Sequence, residues 1–287
     1  MVAGGVLKRL ATDDQKSKWL SNIINGELQS TLAFTEPQSR FNLNDVATVA
    51  KENGDKVIIN GKKSFVLNGK EADIIIVPAR TSGSQTETEG ISLFVVESDL
   101  PGISKNNYKS VDGHSASEIT FKNVEVNKDN LLGEIGKGYQ TLESTIDDAT
   151  LAVCAEATGI MKSLHDKTVE YSKNRVQFGV PIGGFQALQH RMVDTLMACE
   201  ETESILLWAL TTNQDDSSSL KKAISGLKYQ IGTAGKHVGQ EAVQLHGGMG
   251  ISWELDIAHF FKRLSSIEIL FGNADFHMKR FLTLSNN

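Results

Sequence analysis

The stretch Ile119–Gln140, ITFKNVEVNKDNLLGEIGKGYQ, contains the change of pattern that decides the fold. Before it, short segments rich in β-branched and aromatic residues alternate with Gly, Asn, Asp and Pro, which is typical of strands and turns. From about residue 138 the apolar residues recur at a spacing near 3.6, which is typical of amphipathic helices. The chain is therefore predicted to fold as an all-β region followed by an all-helical region.

Residues 31–137 are predicted to form a small all-β domain, either a barrel or a sandwich. The strand candidates are VIINGKKSFVLNG, DIIIVPART, ISLFVVES and SEITFKNVEV. Asn60-Gly61 and Asn68-Gly69 are typical of hairpin turns. The stretch RTSGSQTETEG is expected to be a flexible loop between two strands.

Residues 138–287 are predicted to form an antiparallel four-helix bundle, with the last helix broken near Gly272. Residues 1–30 are predicted to be helical, with Thr12 as the N-cap and Gln15 at the capping-box position. One helix cannot form a core by itself, so this segment is interpreted as the remnant of an N-terminal helical domain. The predicted class is α+β and multidomain.

Composition excludes several classes of function. The chain has 287 residues, a formal net charge of -6, and 40% hydrophobic residues. An acidic balance does not indicate binding to nucleic acid or to an anionic membrane. No apolar run is long enough to span a bilayer, and no Cys/His spacing indicates a metal. Cys154 and Cys199 lie in helical patterns and are expected to be buried free thiols, which suits a reducing, cytoplasmic location.

Three short motifs allow a functional and a structural interpretation. The glycines of QLHGGMG (Gln244–Gly250) can admit a ligand to the backbone, or they can simply join two helices. In RVQFGVPIGGFQ (Arg175–Gln186) the arginine can bind phosphate, or it can be a solvated surface residue. TEPQS (Thr35–Ser39) can offer donors to a heterocycle, or it can be a proline turn. Each motif taken alone favours the structural interpretation.

Taken together and in order, these segments resemble the acyl-CoA dehydrogenase family along nearly the whole chain. The resemblance is carried by LAFTEPQS, INGKKSFVLNG, ITFKNVEVNKDNLLGEIGKGYQ, RVQFGVPIGGFQALQ and EAVQLHGGMGISWELDIAHFFKRLSSIEILFGNAD. Within the family, HFFKRL and LFGNAD resemble the small subunit of bacterial pimeloyl-CoA dehydrogenases. Most of the family's N-terminal domain has no counterpart, and only residues 1–30 match its end.

The resemblance implies a flavoprotein oxidoreductase that binds FAD between its β domain and its bundle. Such an enzyme converts an acyl-CoA thioester to the 2-enoyl-CoA and passes electrons to an electron-transfer flavoprotein. The resemblance also implies a homo- or hetero-oligomer, with a dimer of dimers as the expected assembly. The implied cofactor-binding residues are Phe34, Thr35, Phe65, Leu67, Arg175, Gln177, Phe178, Gln186, Gln244, Leu245, His246, Gly247, Gly248, Asn273 and Asp275.

The catalytic base is the main departure from the family. The family's usual base is a Glu that precedes a Gly in the last helical region, and that place is Phe271-Gly272 here. Some members carry the base on the first bundle helix, where this chain has Ala149. Asp148 is a weak candidate because a shift of one residue turns a helical side chain by about 100°. The family's Gly-Ser-Asp after TEP is also replaced, by RFNLND.

Three functional hypotheses follow from this pattern. The first is an acyl-CoA dehydrogenase subunit whose partner supplies the base. The second is a non-catalytic subunit that holds FAD or shapes an interface. The third is a flavin monooxygenase or oxidase of the same fold.

Overall fold

One mixed β-sheet organises the N-terminal half of the chain in this computed structural model, which describes residues 2–213 and 216–286. The strands run in the order β6-β7-β3-β2-β4-β5-β8, and β1 pairs in parallel with β4. Their bounds are β1 (Ser30–Leu32), β2 (Val49–Asn53), β3 (Lys56–Leu67), β4 (Ile74–Arg80), β5 (Ile91–Glu97), β6 (Ile103–Lys109), β7 (Ser115–Asn127) and β8 (Leu131–Leu132).

The core of this sheet comes from residues on five of its strands, including Ile59, Ile75, Phe94 and Phe121. Strand β4 is buried along its whole length, which explains its continuous apolar sequence. This sheet belongs to a compact unit that spans Met1–Ile146, and Asp147–Asn287 forms a second unit. The predicted α+β class, a β domain followed by a helical domain, is confirmed.

Asn60-Gly61 does not form the predicted hairpin turn, because both residues lie inside β3. The hairpin between β2 and β3 instead turns after Asn53, where Gly54 has a φ of +61°. Gly61 is required for another reason. A Cβ atom at this position would collide with Thr48. The φ of Gly61 is +157°, a value that residues with a side chain rarely adopt.

The second predicted turn, Asn68-Gly69, also needs correction. Asn68 does have a left-handed backbone, with a φ of +57°, but the next strand β4 does not pair with β3. The sequence predicts a flexible loop after β4, and in the structure the Arg80 guanidinium anchors this loop. This group donates to the carbonyl oxygens of Gln85 at 2.7 Å and Glu89 at 2.7 Å, and to two further carbonyls.

Residues 2–24 form two helical stretches rather than one. They are α1 (Val2–Leu10), and a second run made of α2 (Asp13–Gln15), a π-helical turn (Lys16–Leu20) and α3 (Ser21–Ile24). The predicted capping box is confirmed at the break, because Thr12 and Gln15 exchange hydrogen bonds of 2.9 and 3.3 Å. Gln15 also donates to the carbonyls of Asp129 and Leu131, which fixes this arm to the β-sheet unit.

The second unit is built from helices that pack around α6. Its elements are α4 (Tyr139–Asn174, which begins in the first unit), β9 (Val176–Gln177), β10 (Val180–Pro181), α5 (Gln186–Thr211), α6 (Ser217–His246), α7 (Asp256–Ile269) and α8 (Ala274–Ser285). The predicted break at Gly272 is confirmed, since this residue has a φ of +113° between α7 and α8. Cys154 and Cys199 are buried free thiols, as predicted. Among the described residues, no helix combines the length and apolarity needed to cross a membrane.

Candidate functional site

Thr35 and Phe65 lie side by side in the β-sheet unit. Thr35 follows β1, and its carbonyl oxygen accepts a 2.8 Å hydrogen bond from the Ser64 N–H on β3. Phe34, Thr35, Phe65 and Leu67 are all partly exposed. The structure therefore brings together the four residues of this unit that the resemblance nominated.

The Thr35 side of this surface keeps unused hydrogen-bond donors. Within residues 2–213 and 216–286, nothing accepts from the Thr35 N–H or pairs with its hydroxyl. Leu67 offers only an apolar side chain, and its carbonyl oxygen already accepts from the Thr31 hydroxyl at 2.6 Å. Thr35 is thus the residue of this group that can donate to a polar heterocycle.

A buried ion pair fixes the segment that carries Thr35. The Lys63 ammonium lies 2.7 Å from the Glu36 carboxylate, and both side chains are almost fully buried. Glu36 also accepts from the N–H groups of Ala47 and Thr48. Burial opposes ionisation of Glu36, but Lys63 and the hydrogen bonds from Gln38 and Thr48 outweigh it and hold its pKa below the ordinary value. This network holds the segment that carries Thr35 in a fixed position in the folded sheet.

Phe65 adopts a left-handed backbone, with a φ of +49°. Its N–H donates to the Glu118 carboxylate at 3.2 Å, and the Ser64 hydroxyl donates to the same carboxylate at 3.0 Å. These donors, against the opposing effect of partial burial, keep the pKa of Glu118 low. The Phe65 ring lies 6.5 Å from the Tyr108 ring.

Three phenylalanines share this rare backbone conformation, namely Phe65, Phe178 and Phe271. They make up half of the non-glycine residues with positive φ in the described part of the chain. Such a conformation costs roughly 1–3 kcal/mol for a bulky residue and is concentrated at functional sites. All three positions were singled out from the sequence, two as cofactor contacts and one as the place of the missing base.

Arg175, Gln177 and Phe178 lie at a small exposed hairpin in the helical unit, and Gln186 begins helix α5 shortly after it. Strands β9 and β10 are joined by Phe178 and Gly179, whose φ values are +56° and +81°. Phe178 is 92% exposed. In the described residues no carboxylate pairs with the Arg175 guanidinium, so it remains able to bind an anion.

The Gln244–Gly248 loop lies at the same end of the helical unit. The His246 ring stacks on Tyr171, near the end of α4, with 4.3 Å between centroids. The side chains of Leu245 and His246 are buried, so only their backbone groups can face a ligand. Gln244, Gly247 and Gly248 are exposed, and a Cβ atom at either glycine would meet nothing within 4 Å. This leaves open backbone beside the Arg175 hairpin.

The turn between α7 and α8 is held by two buried basic side chains. The Lys228 ammonium on α6 donates to the carbonyl oxygens of Glu268 at 2.8 Å and Gly272 at 2.6 Å. His277 donates from Nε2 to the Phe271 carbonyl oxygen at 3.0 Å. Burial lowers the pKa of Lys228 to about 8 and that of His277 to about 3. Phe271 is therefore presented on a rigid turn, with a φ of +59°.

Asn273 and Asp275 begin the helix that follows this turn. The Asn273 side chain caps α8 by accepting from the Phe276 N–H at 3.0 Å. Asp275 is exposed in the first turn of the same helix. The Asn273 amide thus has a structural role whatever else it contacts.

The alternative base positions on α4 do not provide a buried carboxylate either. Ala149 is buried, whereas Asp148 is exposed on another face of the helix. The buried acid of this segment is Asp147, and a bidentate Arg280 neutralises it, with one bond of 2.8 Å. A carboxylate paired in this way is a poor proton acceptor.

The nominated residues of the helical unit fall into two clusters. Lys228, which holds the Phe271 turn, and His246, which borders the glycine loop, lie roughly 27 Å apart along α6. The cluster near His246 contains exposed backbone and the Arg175 guanidinium. The cluster near Lys228 contains buried basic side chains around Phe271.

Besides the Lys63–Glu36 ion pair, four further residues that support these sites are not predicted from the sequence. Glu118, Lys228, His277 and Arg280 hold other site residues in place. Lys228 did carry a signal, because it interrupts the apolar stripe of α6 between Leu227 and Ile231. Glu118 carried none, because its role depends on strand register.

Two family models match this chain, one over its β part and one over its helical part. Residues 31–124 match the model of the acyl-CoA dehydrogenase middle domain, and residues 136–282 match that of the C-terminal domain. A 3-(aryl)acrylate reductase of Clostridium sporogenes is 33% identical over 269 residues, which are 93% of this chain and 71% of that protein. The mitochondrial short-chain specific acyl-CoA dehydrogenase of Rattus norvegicus is 28% identical, with coverage of 94% and 66%.

Two solved structures share the fold. The acyl-CoA dehydrogenase of Geobacillus kaustophilus superimposes with a TM-score of 0.92 at 29% identity, over 98% of this chain and 75% of that one. The FAD complex of PigA gives 0.93 at 25% identity, over 99% and 75%. The chain thus spans about two thirds to three quarters of the length of the proteins it matches.

The two matched domains and these relatives define the class as that of flavin-dependent acyl-CoA oxidoreductases. The chain belongs to the acyl-CoA dehydrogenase family.

Proposed function

We propose that this chain holds FAD and acts as one subunit of an acyl-CoA dehydrogenase. The observation that carries the proposal is the unused N–H and hydroxyl of Thr35 beside the left-handed Phe65. Donors without a protein partner are suited to the polar edge of a heterocycle, and strained aromatic residues are concentrated at ligand sites.

The helical unit carries groups that suit the diphosphate part of an FAD. Arg175 offers a guanidinium to a phosphate oxygen, and Gly247 and Gly248 allow close approach of a diphosphate to the backbone. When bound, FAD supplies the acceptor for the hydride that leaves the β carbon of the acyl thioester. The contribution of this chain is to bind and orient, through Thr35, Phe65 and Arg175.

The proton of the α carbon needs an acceptor that this chain does not offer at either expected place. Phe271 and Ala149 cannot ionise, and Arg280 already neutralises Asp147. Asp148 is exposed on another face of α4. We therefore propose that a partner subunit supplies the base.

The proposal is tested by purifying the chain alone and with the product of its genomic neighbour. Both samples are saturated with FAD and mixed with butyryl-CoA or 3-phenylpropionyl-CoA, and the visible flavin absorption is followed. We expect loss of the absorption only with the partner present. Rapid loss with the chain alone would disprove the need for a partner.

A second candidate function is favoured by the same turn. With Phe271 fixed where a proton acceptor is expected, the chain can serve as a non-catalytic subunit that holds FAD. If the chain is non-catalytic, the Thr35→Val and Arg175→Ala variants leave the turnover of the two-subunit complex unchanged. A loss of turnover in both variants favours the catalytic role.

Exposed apolar side chains on α5 support an oligomer. Val193, Met197, Leu207 and Trp208 are between 45% and 56% exposed on this helix, which is unusual for a monomer surface. We propose that a second subunit covers them, as in a dimer of dimers. Sedimentation of the wild type should give an oligomer that Met197→Glu weakens, and a monomeric wild type would contradict this.

The remaining partners follow from the family. We propose an electron-transfer flavoprotein as the electron acceptor and an acyl-CoA as the substrate, and the resemblance leaves dicarboxylyl, aromatic-tail and sterol-side-chain thioesters open. Free, buried Cys154 and Cys199 are consistent with a reducing compartment such as the cytoplasm.

A further inference from the structure

A β-bulge between β3 and β7 places two residues opposite one. Lys63 pairs with Ile119 and Val66 pairs with Ser117, so the two residues between them on β3 face Glu118 alone. Those two residues are Ser64 and Phe65. A bulge leaves one backbone N–H without its ladder partner and re-aims a side chain.

The Glu118 side chain takes over the missing backbone acceptor. Its Oε1 atom lies 3.2 Å from the Phe65 nitrogen, and its Oε2 atom lies 3.0 Å from the Ser64 hydroxyl. The Tyr108 hydroxyl donates to the same carboxylate at 3.2 Å, and the Lys62 ammonium lies 3.5 Å away. Four donors from two strands, three on β3 and one on β6, thus converge on one carboxylate.

This convergence explains how a phenylalanine stays in a left-handed conformation. Charge-assisted hydrogen bonds are stronger than neutral ones, and this one acts on the N–H whose direction follows the φ of Phe65. Tyr108 adds an aromatic contact on the same side, with 6.5 Å between ring centroids. Without the carboxylate, Phe65 loses the partner that favours a positive φ.

The same pair of strands contains a second bulge that serves as an internal control. Ile59 pairs with Val124 and Gly61 pairs with Phe121, so Asn60 faces two residues of β7. The N–H of one of them, Asn123, donates to the Asn60 side-chain oxygen at 2.8 Å. Asn123 is also left-handed, with a φ of +50°, but it is a residue type that tolerates this region. This bulge needs no charge, and it presents no nominated cofactor contact.

We propose that Glu118 is a positioning residue whose carboxylate holds Phe65 in the left-handed conformation that presents its ring to the isoalloxazine of FAD. This inference rests on the proposed function for its ligand, and on the bulge alone for its geometry. Glu118 acts through Phe65 and takes no part in proton or hydride transfer.

The geometry is tested first without flavin. Backbone hydrogen exchange is measured on flavin-free protein for the wild type, Glu118→Ala and Asn60→Ala. We expect Glu118→Ala to speed exchange at Phe65 and Asn60→Ala to speed it at Asn123, each variant affecting its own bulge. Unchanged exchange at Phe65 in Glu118→Ala overturns the inference whether or not FAD binds.

The consequence for the cofactor is tested by titrating FAD and recording the visible circular dichroism of the bound flavin. We expect Glu118→Ala to bind FAD about tenfold more weakly, the size of one charge-assisted hydrogen bond, and to alter the dichroism. Glu118→Gln keeps an acceptor for the Phe65 N–H and should restore the wild-type dichroism. Asn60→Ala should leave affinity and dichroism unchanged.

Two failures remain distinguishable. If the wild type binds no FAD, the proposed function fails while the exchange experiment still tests the bulge. If the wild type binds FAD but Glu118→Ala binds it equally well with the same dichroism, the inference fails and the proposed function stands. An equal effect of Asn60→Ala would show a general loss of sheet structure, and this also overturns the positioning role.

Discussion

Phe65 in the β-sheet unit and Phe271 in the helical unit are held in the same rare conformation by opposite chemistry. Phe65 donates its N–H to a partly exposed carboxylate, Glu118. Phe271 has its carbonyl oxygen bound by buried His277, and Lys228 binds the next carbonyl. One turn is fixed by an acceptor on its N–H, and the other by donors on its carbonyls.

The difference separates what the two sites can do. The carboxylate at Phe65 leaves the neighbouring donors of Thr35 free, so that surface can accept a polar ligand. Lys228 and His277 beside Phe271 already donate to backbone carbonyls and are buried, so that turn offers an aromatic ring and rigid geometry only. We therefore expect cofactor binding at the first site and no proton transfer at the second.

The largest expected effect comes from replacing Phe271 by a residue that can ionise. Because the turn is already rigid, Phe271→Glu should raise the rate of flavin reduction by an acyl-CoA about a thousandfold over wild type, as a positioned general base does. Stopped-flow absorbance of the FAD-loaded protein measures this rate. Phe271→Gln has a similar shape without the charge, so equal rates in the two variants contradict the account.

A smaller effect is expected from pH at the Phe271 turn. His277 has a folded-state pKa of about 3, chiefly because burial disfavours its charge, against an ordinary value near 6.5. The unfolded chain therefore binds more protons between these values, and stability is retained above pH 6.5 and lost as pH falls towards 3. Between pH 7 and pH 4.5 the loss should be about 3 kcal/mol.

Urea unfolding at the two pH values checks this loss. His277→Gln keeps a donor for the Phe271 carbonyl but has nothing to titrate, so its loss over the same interval should be smaller by that amount. An identical pH dependence in wild type and variant would mean that His277 is not the source.

The smallest effect distinguishes strain from packing at the two phenylalanines. At Phe65 and at Phe271, the Gly variant should be more stable than the Ala variant by about 1 kcal/mol, because only glycine adopts positive φ freely. Phe281 lies within helix α8 and serves as the control. There the order should reverse by about 1 kcal/mol. Thermal or urea unfolding of the six variants gives the comparison, and one common order at all three positions would exclude strain.

Local sequence was sufficient for the order of the elements and for several of their ends. The capping box at Thr12 and Gln15, the break at Gly272 and the change from strands to helices each depend on neighbouring residues, and the structure confirms them. The family was also recognised from short ordered motifs, and the comparisons confirm it.

Long-range register accounts for what local sequence missed. Asn60-Gly61 has the composition of a hairpin turn, but the packing of Gly61 against Thr48 and the pairing of β3 with β7 make it part of a bulge. Glu118 caps Phe65 only because of that pairing, across residues far apart in sequence. The roles of the nominated cofactor residues stay predictions, since they depend on a ligand.

The central claim is that the chain holds FAD through donors left free beside Phe65. Equilibrium titration with FAD, followed by quenching of flavin fluorescence, tests it in the wild type, in Thr35→Val and in Thr31→Val. Thr31 is the control because its hydroxyl is already used by the Leu67 carbonyl. We expect saturable binding of one FAD per chain, weakened about tenfold by Thr35→Val and little changed by Thr31→Val. No binding to the wild type, or equal affinity in the wild type and Thr35→Val, would contradict the account.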